Sequence, residues 1–275
     1  MTRLTIIIVS YNSKGDLERA IGSLTQPAPR VEHEIVVVDN ASTDGSPAYV
    51  RERWPGVQLI ASDVNLGFAK ANNLGLRHTN SELVLFLNPD TIVAPGAVDR
   101  LVSALDARRD VAIVGPRIVD GRGRAELSFG AMMTPWTEIR QKILVRGNDR
   151  GLIPFTSMVD RMTRHTHQVD WVSGACLLIR RADLDEVGGF DERFFMYTED
   201  VDLCASVRRR GRSVLFTAET EVVHLRGRSA ASAAQATADA YRRSQIAFYR
   251  KHHPGWVPVL RAYLKIRGRL PDTLP

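Results

Sequence analysis

Over the first ninety residues, short β-branched runs closed by polar residues alternate with amphipathic stretches, and few folds accept that order. Residues 4–9, 34–38, 57–61 and 82–87 read as strands. Residues 14–24, 46–54 and 68–77 between them read as helices, with Pro47 acceptable in a first helical turn. Strand, crossover helix and strand in repetition make a parallel sheet. The unbroken apolar run 83–87 implies a strand buried on both faces. A helix over 95–107 and a strand over 111–114 continue the alternation. From 120 to 168 it gives way to Gly, Met, Arg and isolated aromatics without period, a pattern that predicts long loops and short helices used for binding. Periodicity returns with a strand at 171–180, a helix at 199–210, one or two strands at 214–223 and a long helix at 230–252, before a mixed apolar and basic segment at 256–270. There is no internal repeat, Gly/Ser linker or low-complexity tract.

The 275 residues allow one large α/β domain or two small ones, and at 44% apolar and 25% charged they exclude wholesale disorder, collagen and a bundle of membrane spans. A net charge of +6 and a pI near 9.6 suit an anionic ligand, whether nucleic acid, nucleotide or lipid. Cys176 and Cys204 form no C-x-x-C or Cys/His cluster, so neither a disulfide framework nor a zinc site is suggested and a reducing, cytoplasmic location is expected. The apolar run 4–9 is too short for a signal sequence, and no later run approaches the length of a membrane span.

In an open parallel sheet, ligands bind beyond the carboxyl ends of the strands, where strand-to-helix loops and helix N-termini converge. The residues there are Ser10, Tyr11 and Asn12; Asp39, Asn40 and Asp44; Asn65; and Asn88, Pro89 and Asp90. Singly, such residues are ordinary caps and turn formers. Four polar strand ends in succession exceed what capping requires. The apolar strand before Asp90 delivers that carboxylate to a poorly hydrated crevice, where it needs a partner, and a divalent ion such as Mg2+ or Mn2+ takes few protein oxygens and fills its other positions with water and phosphate. Neither G-x-G-x-x-G nor G-x-x-x-x-G-K-[ST] occurs, which disfavours dinucleotide oxidoreductases and P-loop kinases.

Taken together these segments resemble the family 2 glycosyltransferases, inverting enzymes that transfer sugar from a nucleoside diphosphate. The likeness is carried by Val9-Ser10-Tyr11-Asn12, the run from Val38-Asp39-Asn40 to Asp44-Gly45-Ser46, Asn65-Leu66-Gly67-Phe68-Ala69-Lys70-Ala71-Asn72-Asn73, and Leu87-Asn88-Pro89-Asp90. Downstream it is carried by Trp171-Val172-Ser173-Gly174-Ala175, Gly188-Gly189-Phe190-Asp191-Glu192 and Tyr197-Thr198-Glu199-Asp200-Val201-Asp202. It spans roughly residues 3–230 and is strongest to bacterial rhamnosyltransferase-type members of cell-envelope polysaccharide assembly. The resemblance implies an α/β GT-A fold, with a Rossmann-like, mostly parallel central sheet flanked by helices and a C-terminal acceptor-binding part. It implies a GT-A domain over 1–230, with a nucleotide-sugar-binding half (1–115) and an acceptor and catalytic half (116–230), followed by a helical extension over 231–275.

By the same resemblance, Asp39 and its neighbours hold base and ribose, and the nucleotide sugar is bound by Ser10, Tyr11, Asn12, Asp39, Asn40, Asp44, Asn65, Lys70, Asn72, Asn88, Arg226 and Arg228. The family's D-x-D metal motif falls on Asn88-Pro89-Asp90, with asparagine in place of the first aspartate, so Asp90 is the principal metal ligand, joined by Asn88 and His224. His224 also reads as a hydrogen-bonded histidine closing a strand, and Arg226 and Arg228 as solvated arginines. Inversion needs a carboxylate to take the acceptor hydroxyl's proton, and the resemblance gives this to Asp200 with Glu199 beside it. Glu199, Asp200 and Asp202 at a helix start equally read as complements of the macrodipole. Trp171, Gly174, Asp191 and Glu192 are the expected acceptor contacts, although an aromatic opening a strand is also ordinary core and glycines also permit close strand packing.

The expected partners are a nucleoside diphosphate sugar, in particular dTDP-rhamnose, and a glycan or polyprenyl-pyrophosphate-linked acceptor; nucleic acid is not expected. The interleaved apolar and cationic residues 256–267, with Arg140, Lys142, Arg146 and Arg150, suit peripheral contact with the inner face of the plasma membrane, and equally a terminal helix packed on the domain. Two other readings stand beside this one. A sugar-phosphate nucleotidyltransferase would carry a glycine-rich basic loop after the first strand, which residues 10–15 lack, and a non-catalytic basic module for lipid or nucleic acid explains the charge but not the polar strand ends.

Overall fold

The computed structural model describes residues 2–225 and 234–271, with the side chains of 234–237 left aside. In chain order the elements are β1 (Leu4–Ser10), α1 (Lys14–Thr25), β2 (His33–Asn40), α2 (Ser46–Arg53), β3 (Gln58–Ser62), α3 (Phe68–Arg77), β4 (Leu83–Leu87), β5 (Thr91–Val93), α4 (Ala97–Asp106) and β6 (Val111–Val119). There follow β7 (Phe129–Gly130), α5 (Pro135–Asp149), α6 (Ile153–Met162), β8 (His167–Val169), β9 (Trp171–Val172), β10 (Cys176–Arg180), α7 (Arg181–Val187), α8 (Glu199–Arg209), β11 (Ser213–His224), α9 (Ala234–His252), a 3-10 turn (Pro254–Trp256) and α10 (Val257–Ile266).

The main sheet runs β3-β2-β1-β4-β10-β6-β11-β5, with β8 on β11. Strands β3, β2, β1 and β4 are parallel to one another, as are β6 and β11. β10 enters antiparallel between β4 and β6, and β5 pairs antiparallel with β11, which makes the sheet mixed. Register aligns Ser10 with Asp39 and Ile8 with Leu87, so the carboxyl ends of β1, β2 and β4 share one rim, and strand order reverses between β1 and β4.

Alternating side chains on β1 and β4 divide between two cores. Ile7, Val9, Val84 and Phe86 pack on one side with α3 and α8, and Leu4, Ile6, Ile8, Leu83, Leu85 and Leu87 on the other with α1 and α4. A third cluster joins Phe194, Val201 and Ala205 to Ala247, Phe248 and Tyr249, docking α9 on α8. Glu138 of α5, buried, accepts from Gln245 Nε2 at 2.7 Å and Tyr249 Oη at 2.8 Å, and so fastens α5 to α9.

Two expectations are corrected, and a third falls partly outside the described residues. The strand expected over 171–180 is broken: β9 ends at Val172 and β10 starts at Cys176, and between them the Gly174 amide turns toward α8 while Ser173 and Ala175 bond to different neighbours, Ser128 and Asn88. The stretch 120–168, expected as loops and short helices, contains the fifteen-residue α5, started by a capping box of Thr134 and Thr137. Its helical period is hidden because Trp136, Ile139 and Ile143 face outward. The helix expected from 230 is described only from Ala234.

α3 sits so close to the sheet that a Cβ on Gly75 would lie 2.9 Å from Ile7 Cγ2 and 3.0 Å from Val38 Cγ2. Gly75→Ala is therefore expected to destabilise the fold by about 1–3 kcal/mol through overpacking, read as a lower urea midpoint with unchanged slope. An unchanged midpoint would show that α3 moves off the sheet without cost.

Candidate active site

The rim loops are stitched together by their own polar side chains. Asn12, at φ 49°, accepts from the Thr43 amide at 2.8 Å, and Asp44 accepts from the amides of Lys14 and Ser46 at 2.9 Å each. Burial opposes ionisation of Asp44, but the Ser46 hydroxyl and these amides hold its carboxyl below the usual value. Asn40 donates to Asn65 Oδ1 at 2.9 Å and accepts from the Leu66 amide at 2.7 Å, joining the loop after β2 to the loop after β3. Ser10 is buried against Ser13, whereas Tyr11 and Lys70 are exposed.

Asp39 stands out within this frame. One carboxylate oxygen accepts from the Ser42 amide at 3.0 Å, while Oδ1 is buried without a hydrogen-bond partner, a costly state that a donor on a bound molecule would relieve. Asn72 bonds back within its own helix to the Phe68 carbonyl. The next residue, Asn73, is the one that reaches across: it donates to the Phe190 carbonyl at 2.8 Å and accepts from the Phe190 amide at 3.0 Å, tying α3 to the turn after Gly188-Gly189. Sequence reasoning placed Asn73 in a motif without a role. Asn72 and Asn73 are both buried, and only Asn73 leaves its own helix for a partner.

Antiparallel pairing of β5 with β11 sets His224 opposite Thr91, beside Asp90. His224 Nε2 lies 3.2 Å from Asp90 Oδ1 and 3.5 Å from the Asn88 amide nitrogen, and Glu126 stands 3.7 Å from Nδ1 on the other side of the ring. Burial alone would lower the pKa of this imidazole, but the two carboxylates offset it and push the value up to about 9. The spacing of Asp90 and His224 matches that of adjacent ligands of one octahedral cation at about 2.1 Å, which are about 3 Å apart. Glu126 stands where a carboxylate orients a ligating histidine. Among the described residues no group of three or more His, Cys, Asp or Glu could hold a metal ion by itself; Asp90 and His224 are two such donors that lie together. Sequence reasoning missed Glu126, which falls in the stretch without period. Arg226 and Arg228 lie outside the described residues.

Residues 174 and 175 connect Asn88 to the acidic start of α8. The Asn88 amide donates to the Ala175 carbonyl at 3.0 Å, and one residue earlier the Gly174 amide donates to Asp200 Oδ2 at 2.8 Å. The Val201 amide holds Asp200 Oδ1 at 2.8 Å. A Cβ on Gly174 would approach Asp200 Cβ to 3.2 Å, so glycine permits this close approach. Burial raises the Asp200 pKa against the pull of the two amides. Burial first, and the Asp200 charge second, raise that of Glu199 well above the ordinary value, and Glu199 Oε2 is buried without a partner. Tyr197 and Thr198, immediately before them, have φ of 70° and 65°, a strained pair of left-handed residues of the kind found at functional sites.

The remaining expected acceptor contacts are engaged within the protein. Asp191 pairs with Arg193 at 2.6 Å and Lys251 at 2.9 Å, and despite its burial these cations hold its carboxyl far below the usual range. Glu192, exposed, accepts from Asn73 at 3.2 Å. Trp171 donates its indole N–H to the Ala131 carbonyl at 2.9 Å and lays its ring against Gly130. Lys251 also reaches Asp202, at 2.8 Å, and His252 reaches the same carboxylate at 2.6 Å, so α9 neutralises the third acidic residue of α8.

Residues 5–188 match the family described as Glycosyl transferase family 2. Over 97% of its length the chain is 30% identical to the N-acetylglucosaminyl-diphospho-decaprenol L-rhamnosyltransferase of Mycobacterium tuberculosis, covering 92% of that protein. It is 24% identical to the rhamnosyltransferase WbbL of Escherichia coli over 80% of this chain and 82% of that one. Among solved structures it is similar to the mannosyltransferase PcManGT from Pyrobaculum calidifontis in complex with GDP-Man and Mn2+, with a TM-score of 0.63 and 20% identity over 95% of this chain and 68% of that one, a likeness of fold alone. The stitched strand ends, the Asp90–His224 pair and the buried acidic start of α8 thus occupy a GT-A scaffold, and the chain belongs to glycosyl transferase family 2 and is a glycosyltransferase.

Proposed function

We propose that this glycosyltransferase moves L-rhamnose, with inversion, from dTDP-rhamnose to a polyprenyl-pyrophosphate-linked or other glycan acceptor in cell-envelope polysaccharide synthesis. It works with Mg2+ or Mn2+, in the cytoplasm and against the inner face of the plasma membrane. The donor and acceptor classes are supported by the likeness to the mycobacterial and E. coli rhamnosyltransferases. What supports the chemistry is that Asp90 pairs with His224 next to Asn88, whose backbone amide donates to Ala175, adjacent to the Gly174 amide that donates to Asp200.

Residues 1–115 hold the donor, residues 116–230 present the base and acceptor, and the extension 231–275 braces α8. The unpartnered oxygen of Asp39 accepts from the nucleoside, and Asn40, Asp44 and Asn65 keep the surrounding loops in place. Asp90 and His224, with Asn88 beside them, hold the cation, whose charge when bound stabilises the departing diphosphate. Asp200 takes the acceptor hydroxyl's proton as that oxygen bonds to the sugar's anomeric carbon and the bond to the diphosphate breaks on the opposite face. Each of its oxygens accepts one amide hydrogen and keeps lone pairs for the hydroxyl. Burial and the Asp200 charge raise the pKa of Glu199 beside it, which favours its neutral form and lessens the repulsion between the two carboxyls. Asp191, neutralised by Arg193 and Lys251, shapes the acceptor turn, and Glu192, Gly174 and Trp171 line the acceptor side.

Asp200→Asn is expected to lower turnover of dTDP-rhamnose by about 10²–10⁴-fold while nucleotide binding and melting temperature stay at wild-type levels. Retained turnover would remove the base assignment. The base works ionised, so kcat should fall as pH drops through its pKa, and burial places that acid limb above the ordinary aspartate value. A limb at or below the ordinary value would contradict a desolvated base. Asp90→Ala should abolish the difference in dTDP affinity measured by calorimetry with and without Mn2+, and a persisting difference would move the cation elsewhere.

A further inference from the structure

The outward face of α5 has a composition that a water-exposed helix does not need. Trp136 is 75% exposed, and Ile139 and Ile143 are more than half exposed. At 3.6 residues per turn these three fall with Arg140, Arg146 and Arg150 in one arc of about 120°, while Glu138 points into the protein and Asp149 lies outside the arc. Exposed apolar residues also follow α5 at Leu152 and at Ile153, the first residue of α6, the latter 78% exposed. A patch of this kind marks an interaction site.

α10 repeats the pattern independently. Its inner side, Val257, Leu260 and Leu264, packs on the protein. Val259, Tyr263 and Ile266 face outward, Ile266 at 84% exposure, and Arg261 and Lys265 flank them. From residue 241 to 271 the chain has eight lysines and arginines and no aspartate or glutamate. Both helices are mounted on α9, α5 through Glu138 and α10 through the cluster around Phe248 and Tyr249.

We infer that the outward faces of α5 and α10 together form a docking surface for an anionic lipid bilayer, Trp136, Ile139, Ile143, Tyr263 and Ile266 entering the headgroup boundary and the flanking arginines and lysines meeting lipid phosphates. Apolar residues interleaved with long cationic side chains suit this boundary, where the stems lie along apolar surface and the heads reach phosphate. The same charges argue against a second copy of the chain, because a two-fold contact sets a patch against itself and would bring arginine to arginine without a carboxylate between them. Among the described residues no helix is long and apolar enough to cross a membrane, so the contact is made along the helix sides. The inference deepens the reading of a lipid-linked acceptor and rests on it only for its purpose.

The test is flotation of the full chain with vesicles of phosphatidylcholine alone or mixed with phosphatidylglycerol, without nucleotide sugar. Wild type is expected to float with the anionic vesicles, to prefer them at least tenfold and to lose that preference in high salt. Trp136→Ser/Ile139→Ser/Ile143→Ser and, separately, Tyr263→Ser/Ile266→Ser should each reduce vesicle binding at least tenfold with melting temperature and dTDP binding unchanged. Arg140→Glu/Arg146→Glu should remove the preference for anionic lipid. Wild type that ignores anionic vesicles, or variants that bind as wild type does, would overturn the inference. So would a wild-type dimer in sedimentation that the serine variants convert to monomer without any vesicle binding, which would assign the surface to a second copy. Since no sugar transfer is read, failure here leaves the transferase reading intact, and loss of that reading leaves the vesicle result standing.

Discussion

The insertion of β10, antiparallel, between β4 and β6 is the constraint on which the site depends. It places the carbonyl of Ala175 against the amide of Asn88, and it brings the chain back across the rim just where β4 has delivered Asn88 and Asp90. The preceding residues leave the ladder, and the free amide of Gly174 is turned toward Asp200. One backbone crossing thereby ties Asn88, beside the Asp90–His224 pair, to Asp200 at the start of α8. Had β9 and β10 been continuous, that amide would have been spent on a neighbouring strand.

The acidic start of α8 is held in an unfavourable state by its surroundings. Three carboxylates fall within four residues, two of the preceding residues are left-handed, and most of the group is shielded from water. The charges are handled differently. Asp202 is neutralised by Lys251 and His252, Asp200 is solvated by two backbone amides, and Glu199 is driven toward its protonated form. Such separation of like groups by environment allows one of them to remain a base beside the other two. The strain at Tyr197 and Thr198 is offset by the packing of Phe194 and Val201 into the cluster under α9.

The parallel half of the sheet was legible in the sequence because β1, β4 and most of β2 are buried on both faces and α1 and α3 each have one buried side, so apolar runs and helical periods correspond to real surfaces, while the edge strand β3 is only partly covered. The polar strand ends were legible as a set, though their division of labour was not. Asn40, Asp44 and Asn65 look alike on paper, yet they bind their neighbours' loops, whereas Asp39 keeps a carboxylate oxygen unpartnered. Glu126 and the break at Gly174 depend on pairings between segments far apart in the chain, which no local pattern encodes. α5 escaped for a different reason: apolar residues on both its inner and outer sides erase the period by which a helix is recognised.

Glu138 has a bearing on where this chain can be cut. Its side-chain partners are Lys142 on its own helix and Tyr241, Gln245 and Tyr249, which lie more than a hundred residues later in the sequence. Removing everything beyond residue 233 would leave a shielded carboxylate with a single lysine for company and would strip Asp202 of both Lys251 and His252 at once. The C-terminal helices are thus a keystone laid last, and a shortened protein that kept the whole central sheet would still be missing the wall against which α8 is seated.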